Sequence, residues 1–314
     1  MNRLFDLPPS AQPPKTTLIP VPWDATASYH KGSSQGPKAI LEASSQLDLF
    51  DRNFGRADQI GIDLLPIPEE ILQWNRDALK DPHPETVNLL SKKLNQWVLE
   101  QSRKILDENQ FAGVIGGEHS APFGLIQALS ERTSSFGILH MDAHHDLRKA
   151  YQGYTHSHAS IFYNCVTQIE NLEKLVSVGI RDFSEEEYHF AQSQAHKITA
   201  FYDADLSRLK FQGVAFEKVA FEILQPLPQD VYISFDIDGL APQFCPHTGT
   251  PVPGGLSFSE AIFLLQTLVQ SGRKIIGFDL CEVAPGSTTD WDANVGMRLL
   301  YQLCGWQFKS HRLL

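Results

Sequence analysis

The stretch FGILHMDAHHD, residues 136–146, joins an apolar run to a cluster of acidic and imidazole side chains. The run FGILHM has the length and the mostly apolar character of a strand that is buried on both faces of a parallel sheet. In an extended backbone, side chains at alternate positions project to the same side. Asp142, His144 and Asp146 are therefore expected to converge just beyond the end of this strand.

Further short apolar runs alternate with longer segments of helical period. This alternation predicts a parallel sheet with helices on both of its faces. The other predicted strands contain the runs TTLIPV, FAGVI, KLVSVGI, VYISFDI and KIIGFDL. Ligands of open parallel sheets bind outside the carboxyl ends of the strands, so the residues that follow each run are the candidates for chemistry.

The clearest predicted helix covers residues 85–109. Its apolar residues are spaced as on one broad face of an amphipathic helix. These residues are Leu89, Leu90, Leu94, Trp97, Val98, Ile105 and Leu106. Two further helices are expected to begin at Ser184 and Ser257, because Glu187 and Glu260 stand at the spacing of a capping box.

Two more polar motifs follow predicted strands. GGEHS, residues 116–120, comes after FAGVI, and the pair Asp236 and Asp238 comes after VYISF. GGEHS alone more often starts a helix, and an Asp pair alone more often caps a turn. Together with residues 142–146, however, the motifs supply four carboxylates and two imidazoles at strand ends. These six candidate metal ligands are His119, Asp142, His144, Asp146, Asp236 and Asp238.

This combination of oxygen and imidazole ligands suits hard or borderline divalent ions. So many carboxylates in one cleft would repel one another strongly unless cations were bound. Carboxylates readily bridge metals, and two ions about 3.5–4 Å apart can deprotonate a shared water. The sequence therefore predicts two divalent ions per chain, with Mn²⁺ favoured and Ni²⁺ or Co²⁺ as alternatives.

The composition restricts the partners. The chain has 314 residues, 42% of them hydrophobic, and a net charge of −11 from 37 acidic and 26 basic residues. A phosphate backbone or an anionic membrane would meet mostly repulsion, so neither nucleic acid nor a membrane is an expected partner. A small cationic substrate is compatible with this charge.

Cysteine spacing and the N-terminal composition bear on location and domain organisation. The four cysteines form no CxxC pair, which argues against a zinc knuckle or a disulfide framework and favours a reducing, cytoplasmic location. No apolar run at the N-terminus has the length of a signal-peptide core. We expect residues 1–15 to be a flexible extension and residues 16–314 to form a single catalytic domain.

Taken together, the motifs resemble those of the ureohydrolase family, which includes arginases and agmatinases. GGEHS resembles the family's GG(D/E)HS, DAHHD its DAHxD, and SFDIDGLAP its SxDxDxxDP, in the same order along the chain. TGTPVPGG matches a further family segment. The resemblance, which is agmatinase-like, implies a three-layer α/β/α fold with a mostly parallel sheet of about eight strands. It also implies a homo-oligomer, either a trimer or a hexamer.

The resemblance implies a role for each metal ligand. It makes His119 and Asp146 terminal ligands of one ion, His144 and Asp238 terminal ligands of the other, and Asp142 and Asp236 bridging carboxylates.

Three residues acquire catalytic roles through the same resemblance. Glu282, in the CEVAP segment after KIIGFDL, stands where the family holds the substrate's guanidinium, a planar cation that a carboxylate matches with two oxygens. His158, in an SHA string, aligns with the family's proton-transferring histidine, and His156 is the alternative. Asp146 would pass a proton to the leaving amine.

The implied reaction is hydrolysis of a small guanidino or amidine substrate to urea and an amine. The segment beginning at Arg148 lacks the Asn/Thr/Ser pattern with which arginases bind an α-amino acid, whereas the SHA string resembles agmatinases. An agmatine-like compound of polyamine metabolism is therefore favoured over arginine.

Several alternatives remain open. Formiminoglutamase, guanidinobutyrase and guanidine hydrolase would use the same centre, and Arg148, Lys149 or Arg181 would bind an anionic tail. A deacetylase-like hydrolase shares the general fold but needs one zinc and fewer carboxylates. A metal-binding homologue without turnover is the non-enzymatic alternative. The complete ligand set argues against the deacetylase, and together with Glu282 it argues against the inactive homologue.

Overall fold

The computed structural model describes residues 3–7 and 13–314, and its centre is one eight-stranded sheet. The strands are β1 (Thr16–Val21), β2 (Ile62–Leu64), β3 (Phe111–Gly116), β4 (Phe136–Met141), β5 (Leu172–Ile180), β6 (Ile198–Tyr202), β7 (Asp230–Asp236) and β8 (Lys274–Cys281). They lie in the order β2-β1-β3-β8-β7-β4-β5-β6, and every neighbouring pair is parallel. The expected parallel sheet of eight strands is confirmed.

The six strands predicted from apolar runs are all present. The two that the runs did not predict, β2 and β6, lie at the edges of the sheet. Strand β2 has only three residues, IDL, and four of the five residues of β6 are only partly buried. Edge strands are often short and half exposed, so they lack the long apolar run of a central strand.

Helices cover both faces of this sheet. They are α1 (Gly36–Ala43), α2 (Glu69–Lys80), α3 (Pro84–Asp107), α4 (Phe123–Ser130), α5 (Ile161–Gln168), α6 (Glu185–Ser193), α7 (Asp203–Phe211), α8 (Phe216–Leu224), α9 (Phe258–Gln270) and α10 (Trp291–Ser310). None of these described helices combines the length and the apolar character needed to cross a bilayer.

Two hydrophobic cores make the fold three-layered. Successive strand residues alternate between them, because strand side chains point to opposite faces. Leu18 and Leu139 pack in the core that contains α8, α9 and α10. Ile19 and Ile138 pack in the core that contains α3, α4 and α5. The three-layer α/β/α expectation is confirmed.

Helix α3 lies within two residues of the predicted segment 85–109 at each end. Leu90, Leu94 and Val98 are buried as expected, but Leu89 is 57% exposed. The prediction for Leu89 is wrong because adjacent residues point about 100° apart around a helix. The buried stripe, with its spacing of four residues, passes through Leu90 and leaves Leu89 in solvent.

Both predicted capping boxes are present. The Glu187 N–H donates to Ser184 Oγ at 3.3 Å, and the Ser184 N–H donates back to the Glu187 carboxylate at 2.9 Å. Ser257 and Glu260 form the same pair of bonds at 3.2 and 2.9 Å. These bonds satisfy backbone donors that have no partner within the helix, so α6 and α9 begin where predicted.

The expected N-terminal extension, residues 1–15, falls partly outside the described residues. Within them, Leu4–Asp6 forms a 3-10 turn in which Leu4 and Phe5 are buried. The Phe5 N–H donates to Ser44 Oγ at 2.9 Å. This turn therefore packs against the segment that follows α1.

Candidate metal centre

The candidate ligands lie at the carboxyl edge of the four adjacent strands β3, β8, β7 and β4. His119 follows β3, residues 142–146 follow β4, Asp236 ends β7, and Asp238 lies in the 3-10 turn after it. Neighbouring parallel strands end at the same edge of a sheet. Side chains from distant parts of the chain therefore meet there.

His119 is at the centre of the first group of side chains. Its Nδ1 lies 2.9 Å from Asp142 Oδ2, 3.0 Å from Asp146 Oδ2 and 3.4 Å from Asp236 Oδ2. None of the four side chains is more than 5% exposed. Three buried carboxylates around one imidazole form a donor set typical of a metal site.

Asp142 also belongs to a second group. Its other oxygen, Oδ1, lies 3.4 Å from His144 Nδ1, which is 3.1 Å from Asp238 Oδ2. In this group, and among His119, Asp142 and Asp146, the donor atoms lie within 4.8 Å of one another. The structure thus brings all six predicted residues together in two groups that share Asp142.

The surroundings disfavour negative charge on two of these carboxylates, Asp236 and Asp146. Burial and the charges of Asp238 and Asp142 raise the pKa of Asp236 well above its usual range. Burial and Asp142 likewise raise the pKa of Asp146 to about 7. Burial acts in the same direction on Asp142, but neighbouring imidazoles, first that of His140, hold its pKa well below the usual range.

The missing positive charge fits divalent ions. In the described part of the chain, no Lys or Arg side chain pairs with Asp142, Asp146, Asp236 or Asp238. Unpaired carboxylates at such distances are costly, and bound cations remove that cost. The donor set therefore fits the two-metal centre of the family that the motifs resemble.

Two functional candidates have a left-handed backbone. Asp146 has φ 54° and Glu282 has φ 61°. Residues other than glycine seldom adopt this conformation, and it persists only where the surrounding structure enforces it. Packing is close nearby, since a Cβ added to Gly239 would lie 2.6 Å from the Asp142 nitrogen. The ligand turns are therefore fixed by main-chain contacts.

Glu282 and His158 each present a buried polar atom without a partner in the described part of the chain. Glu282 Oε1 accepts a hydrogen bond from the His119 N–H at 3.0 Å, whereas Oε2 has no partner. His158 Nε2 is also unpartnered. His158 lines a cleft beside the ligands, whereas the ring of His156 packs against Phe123 at 5.5 Å.

This cleft has a volume of about 290 Å³ and is lined by His144, Asp146 and His158. Tyr29 and Tyr151 form part of its wall. Glu282 is buried and does not itself line the cleft. A larger groove of about 720 Å³ lies on the surface at α8, but it contains none of the candidate ligands. The smaller cleft is therefore the candidate substrate site.

Sequence reasoning missed a set of buried polar side chains behind the ligands. His140 Nε2 lies 2.8 Å from Asp142 Oδ2, and Ser234 Oγ lies 2.9 Å from His119 Nε2. Ser234 Oγ donates to Asp279 Oδ2 at 2.7 Å. The alternation that selected the ligands also covers His140 and Ser234, each two residues before a ligand. Asp279 gave no such signal, because its position depends on the pairing of β7 with β8.

Comparison with known proteins places these features in a family. The model of the arginase family matches residues 14–305. The chain is 33% identical over 273 residues to N(1)-aminopropylagmatine ureohydrolase of Thermus thermophilus, covering 86% of this chain and 83% of the relative. It is 28% identical over 289 residues to agmatinase of Bacillus cereus, covering 88% and 86%.

A solved structure agrees in fold. Agmatine ureohydrolase of Thermoplasma volcanium superposes with a TM-score of 0.78 at 23% identity, covering 100% of this chain and 96% of that one. The family match spans both ligand groups and all eight strands. The chain therefore belongs to the arginase family, the ureohydrolases.

Proposed function

We propose that this arginase-family hydrolase cleaves a cationic guanidino compound to urea and an amine, using two Mn²⁺ ions. The observation that carries the proposal is the pair of ligand groups sharing Asp142 beside the cleft. In the proposed site, His119 and Asp146 would hold one ion and His144 and Asp238 the other. Asp142 and Asp236 would be ligands of both.

Two divalent ions, when bound, supply a water that is ionised near neutral pH and stabilise the charge that develops during hydrolysis. The water oxygen adds to the guanidino carbon. The bond from that carbon to the alkyl-substituted nitrogen then breaks, and this nitrogen takes up a proton. The products are urea and the free amine.

We propose that Glu282 binds the guanidinium of the substrate through Oε2. Burial and the nearby charge of Glu118 raise the pKa of Glu282 well above its usual range. A bound guanidinium would offset the negative charge of the Glu282 carboxylate and donate the hydrogen bonds that Oε2 lacks. Glu282 does not itself line the cleft, so the guanidino group must pass the side chains at the cleft wall to reach it.

His158 and Asp146 are the proposed proton carriers. Burial and the neighbouring His144 lower the pKa of His158 to about 3, so its imidazole is neutral and one of its two ring nitrogens is free to accept a proton. Asp146 lines the cleft, so its carboxylate lies close enough to the bound substrate to pass on a proton. In this scheme His158 exchanges protons with solvent and Asp146 delivers one to the leaving amine.

The cleft favours a cationic substrate tail. Arg148 Nε lies 3.4 Å from the Glu187 carboxylate, and its guanidinium lies 4.5 Å above the Tyr151 ring. Arg181 donates five hydrogen bonds, all to main-chain carbonyl oxygens. Both arginines are therefore engaged. Arg148 and Asp182 both line the cleft, but Asp182 has 70% of its side chain exposed. This arrangement supports agmatine or its aminopropyl derivative over a carboxylate such as guanidinobutyrate or formiminoglutamate.

The test is a comparison of kcat/KM for six compounds with the manganese-loaded enzyme. They are agmatine, aminopropylagmatine, arginine, guanidinobutyrate, guanidine and formiminoglutamate, with urea as the product detected and formamide for the last. A preference of at least about tenfold for a compound with a cationic tail is expected. Preference for arginine or formiminoglutamate would refute the substrate assignment, and failure of all six would refute the activity.

The remaining parts of the proposal concern the metal, the assembly and the setting. We propose Mn²⁺ as the native ion, with Ni²⁺ or Co²⁺ able to substitute, since oxygen-rich sites suit Mn²⁺. We also propose that residues 16–314 act as one catalytic domain in a cytoplasmic trimer or hexamer. Elemental analysis and light scattering test the metal and the assembly.

A further inference from the structure

We propose that Thr26 is a positioning residue that fixes the proton carrier His158 to the turn bearing the ligand His119, through the carboxylate of Glu118. This inference rests on the proposed function, because it assigns His158 a proton-transfer role. Thr26 lies in the loop after β1, and Ser28 and Tyr29 of the same loop line the cleft.

The Glu118 carboxylate is the anchor. It is fully buried and accepts four hydrogen bonds from three residues. Oε1 accepts from Trp23 Nε1 at 3.1 Å, from Thr26 Oγ1 at 2.5 Å and from Ser120 Oγ at 2.6 Å, while Oε2 accepts from the Thr26 N–H at 2.7 Å. A buried carboxylate with this many donors is held in one orientation.

The Thr26 hydroxyl is used in both of its hydrogen-bonding capacities. Its hydrogen goes to Glu118, and its oxygen accepts from the His158 N–H at 2.9 Å. A hydroxyl polarised by a carboxylate is a stronger acceptor, because chained hydrogen bonds reinforce one another. The backbone at His158 begins a 3-10 turn, His158–Ser160, so this bond fixes the point from which the imidazole projects.

The loop itself is rigidly tied at both sides of Thr26. Asp24 accepts from the Gly32 and Ser34 N–H groups at 2.9 and 3.3 Å, and Lys31 Nζ donates to the Asp24 and Ala25 carbonyl oxygens at 2.9 Å. These bonds prevent the loop from following a displaced His158. A loss of the Thr26 hydroxyl would therefore free the His158 turn while the cleft wall stayed in place.

The experiment compares Thr26→Val, which removes the hydroxyl at nearly constant volume, with Thr26→Ser, which keeps it. Thr267→Val is the matched control, since Thr267 is also buried and donates its hydroxyl within α9, at 2.8 Å to the Phe263 carbonyl oxygen. In the metal-free proteins, amide hydrogen exchange at residue 158 should be at least about tenfold faster in Thr26→Val only. Unchanged exchange at residue 158 would overturn the inference. Should Thr26→Val not fold, Thr26→Ala takes its place.

In the manganese-loaded enzymes, Thr26→Val should lower kcat by about tenfold or more with KM within about threefold and the metal content unchanged. Thr26→Ser should restore wild-type kcat. Added to His158→Ala, Thr26→Val should change kcat by less than about twofold, because a residue that acts through His158 has nothing left to position. If Thr26→Val lowered kcat by the same factor in the His158→Ala variant as in the wild type, the inference would be overturned. If the wild type hydrolyses no guanidino compound, the proposed function fails, and the exchange measurement alone then decides whether Thr26 holds the turn.

Discussion

Asp58 and Asp236 are both buried carboxylates, but the protein treats their charges in opposite ways. Asp58 has its own cation: Arg56 donates to its two oxygens at 2.8 and 2.7 Å, and Tyr301 donates to Oδ1 at 3.0 Å. Asp236 ends a central strand among other carboxylates, with only the His119 imidazole as a cationic neighbour in the described part of the chain. The charge of Asp58 is therefore balanced by a neighbouring arginine, whereas Asp236 has no Lys or Arg partner in the described part of the chain.

The pKa values of the two groups follow from this difference. Burial disfavours charge on Asp58, but the bonds from Arg56 and Tyr301 outweigh it and lower its pKa. Burial and the like charges of Asp238 and Asp142 raise the pKa of Asp236. The fold thus neutralises a structural carboxylate internally, whereas at the sheet edge the proposed metal ions would supply the compensating charge.

The largest expected effect tests the sheet edge. In the wild type, the Asp238 N–H donates to Asp236 Oδ1 at 2.8 Å. Asp236→Asn keeps an oxygen that can accept this bond but cannot carry a negative charge. We expect loss of metal and a fall in kcat/KM of about a thousandfold or more. The melting temperature of the metal-free protein should not fall, because burial and the charges of Asp238 and Asp142 already disfavour the ionised form of Asp236, and the amide that replaces it is neutral. Elemental analysis and calorimetry check this, and a variant that still held two ions would contradict the assigned role.

A smaller loss of activity is expected when the neutral imidazole of His158, beside the proposed ligands, is removed. His158→Ala should lower kcat by about a hundredfold if proton transfer is its role, while both ions stay bound. His156→Ala is the control, since that ring packs against Phe123 outside the cleft, and its kcat should stay within about twofold. The opposite result would show that the two histidines have been assigned the wrong way round.

The pH dependence of the melting temperature should differ between the metal-free and the metal-loaded protein. The pKa of Asp146 is raised to about 7, and those of Asp236 and Glu282 are also raised, so near pH 7 the metal-free fold holds protons that the unfolded chain has released, and its stability falls as the pH rises. Imidazoles with lowered pKa values, such as His158, do not oppose this, because unfolded histidine is neutral above about pH 7. The melting temperature of the metal-free protein should fall by about 2–4 °C between pH 7 and 8.

The manganese-loaded protein is the control for this pH effect. Bound cations keep the same carboxylates ionised, so its melting temperature should change less over the interval. Equal slopes for the two forms would mean that the carboxylates at the sheet edge are not what titrates.

The smallest effect concerns the internally neutralised site. Asp58→Asn should lower the melting temperature by about 2–3 °C, since charge-assisted hydrogen bonds to a buried carboxylate are lost. Metal content and kcat should not change. Asp107→Asn is the matched control, because its carboxylate pairs with Arg132 but is 67% exposed, and surface pairs contribute little. Loss of metal in Asp58→Asn would break the comparison.

The sequence predicted the fold best where burial was greatest. Strand β4 has all six residues buried, so its run is mostly apolar and its position was clear. Strand β6 was missed because edge residues alternate little in polarity and are only partly buried. The capping box at Ser257 was predictable because both of its bonds lie within four residues of one another, whereas Leu89 depended on the precise direction of one side chain.

In the site, local patterns were predictable and pairings across strands were not. Asp142, His144 and Asp146 are contiguous, so alternation alone placed them on one side. Asp279 contacts His119 through Ser234 on the neighbouring strand and also lies 3.7 Å from His119 Nε2 itself, and strand order cannot be read from any single segment. Thr26 gave no signal either, because its partners, Glu118 and His158, come from two other loops.

The order of the central strands has a consequence for biosynthesis. The proposed ligands lie at or just after the ends of β3, β4 and β7, and Glu282 follows β8, which pairs between β3 and β7. A chain leaving the ribosome exposes its first ligands long before Asp236 and Glu282 are made. Contacts between such distant segments form late in folding. Tight binding of the proposed metal pair must therefore await a nearly complete sheet. Metal retention would then indicate that the chain has folded completely, and truncated chains would not retain the ions.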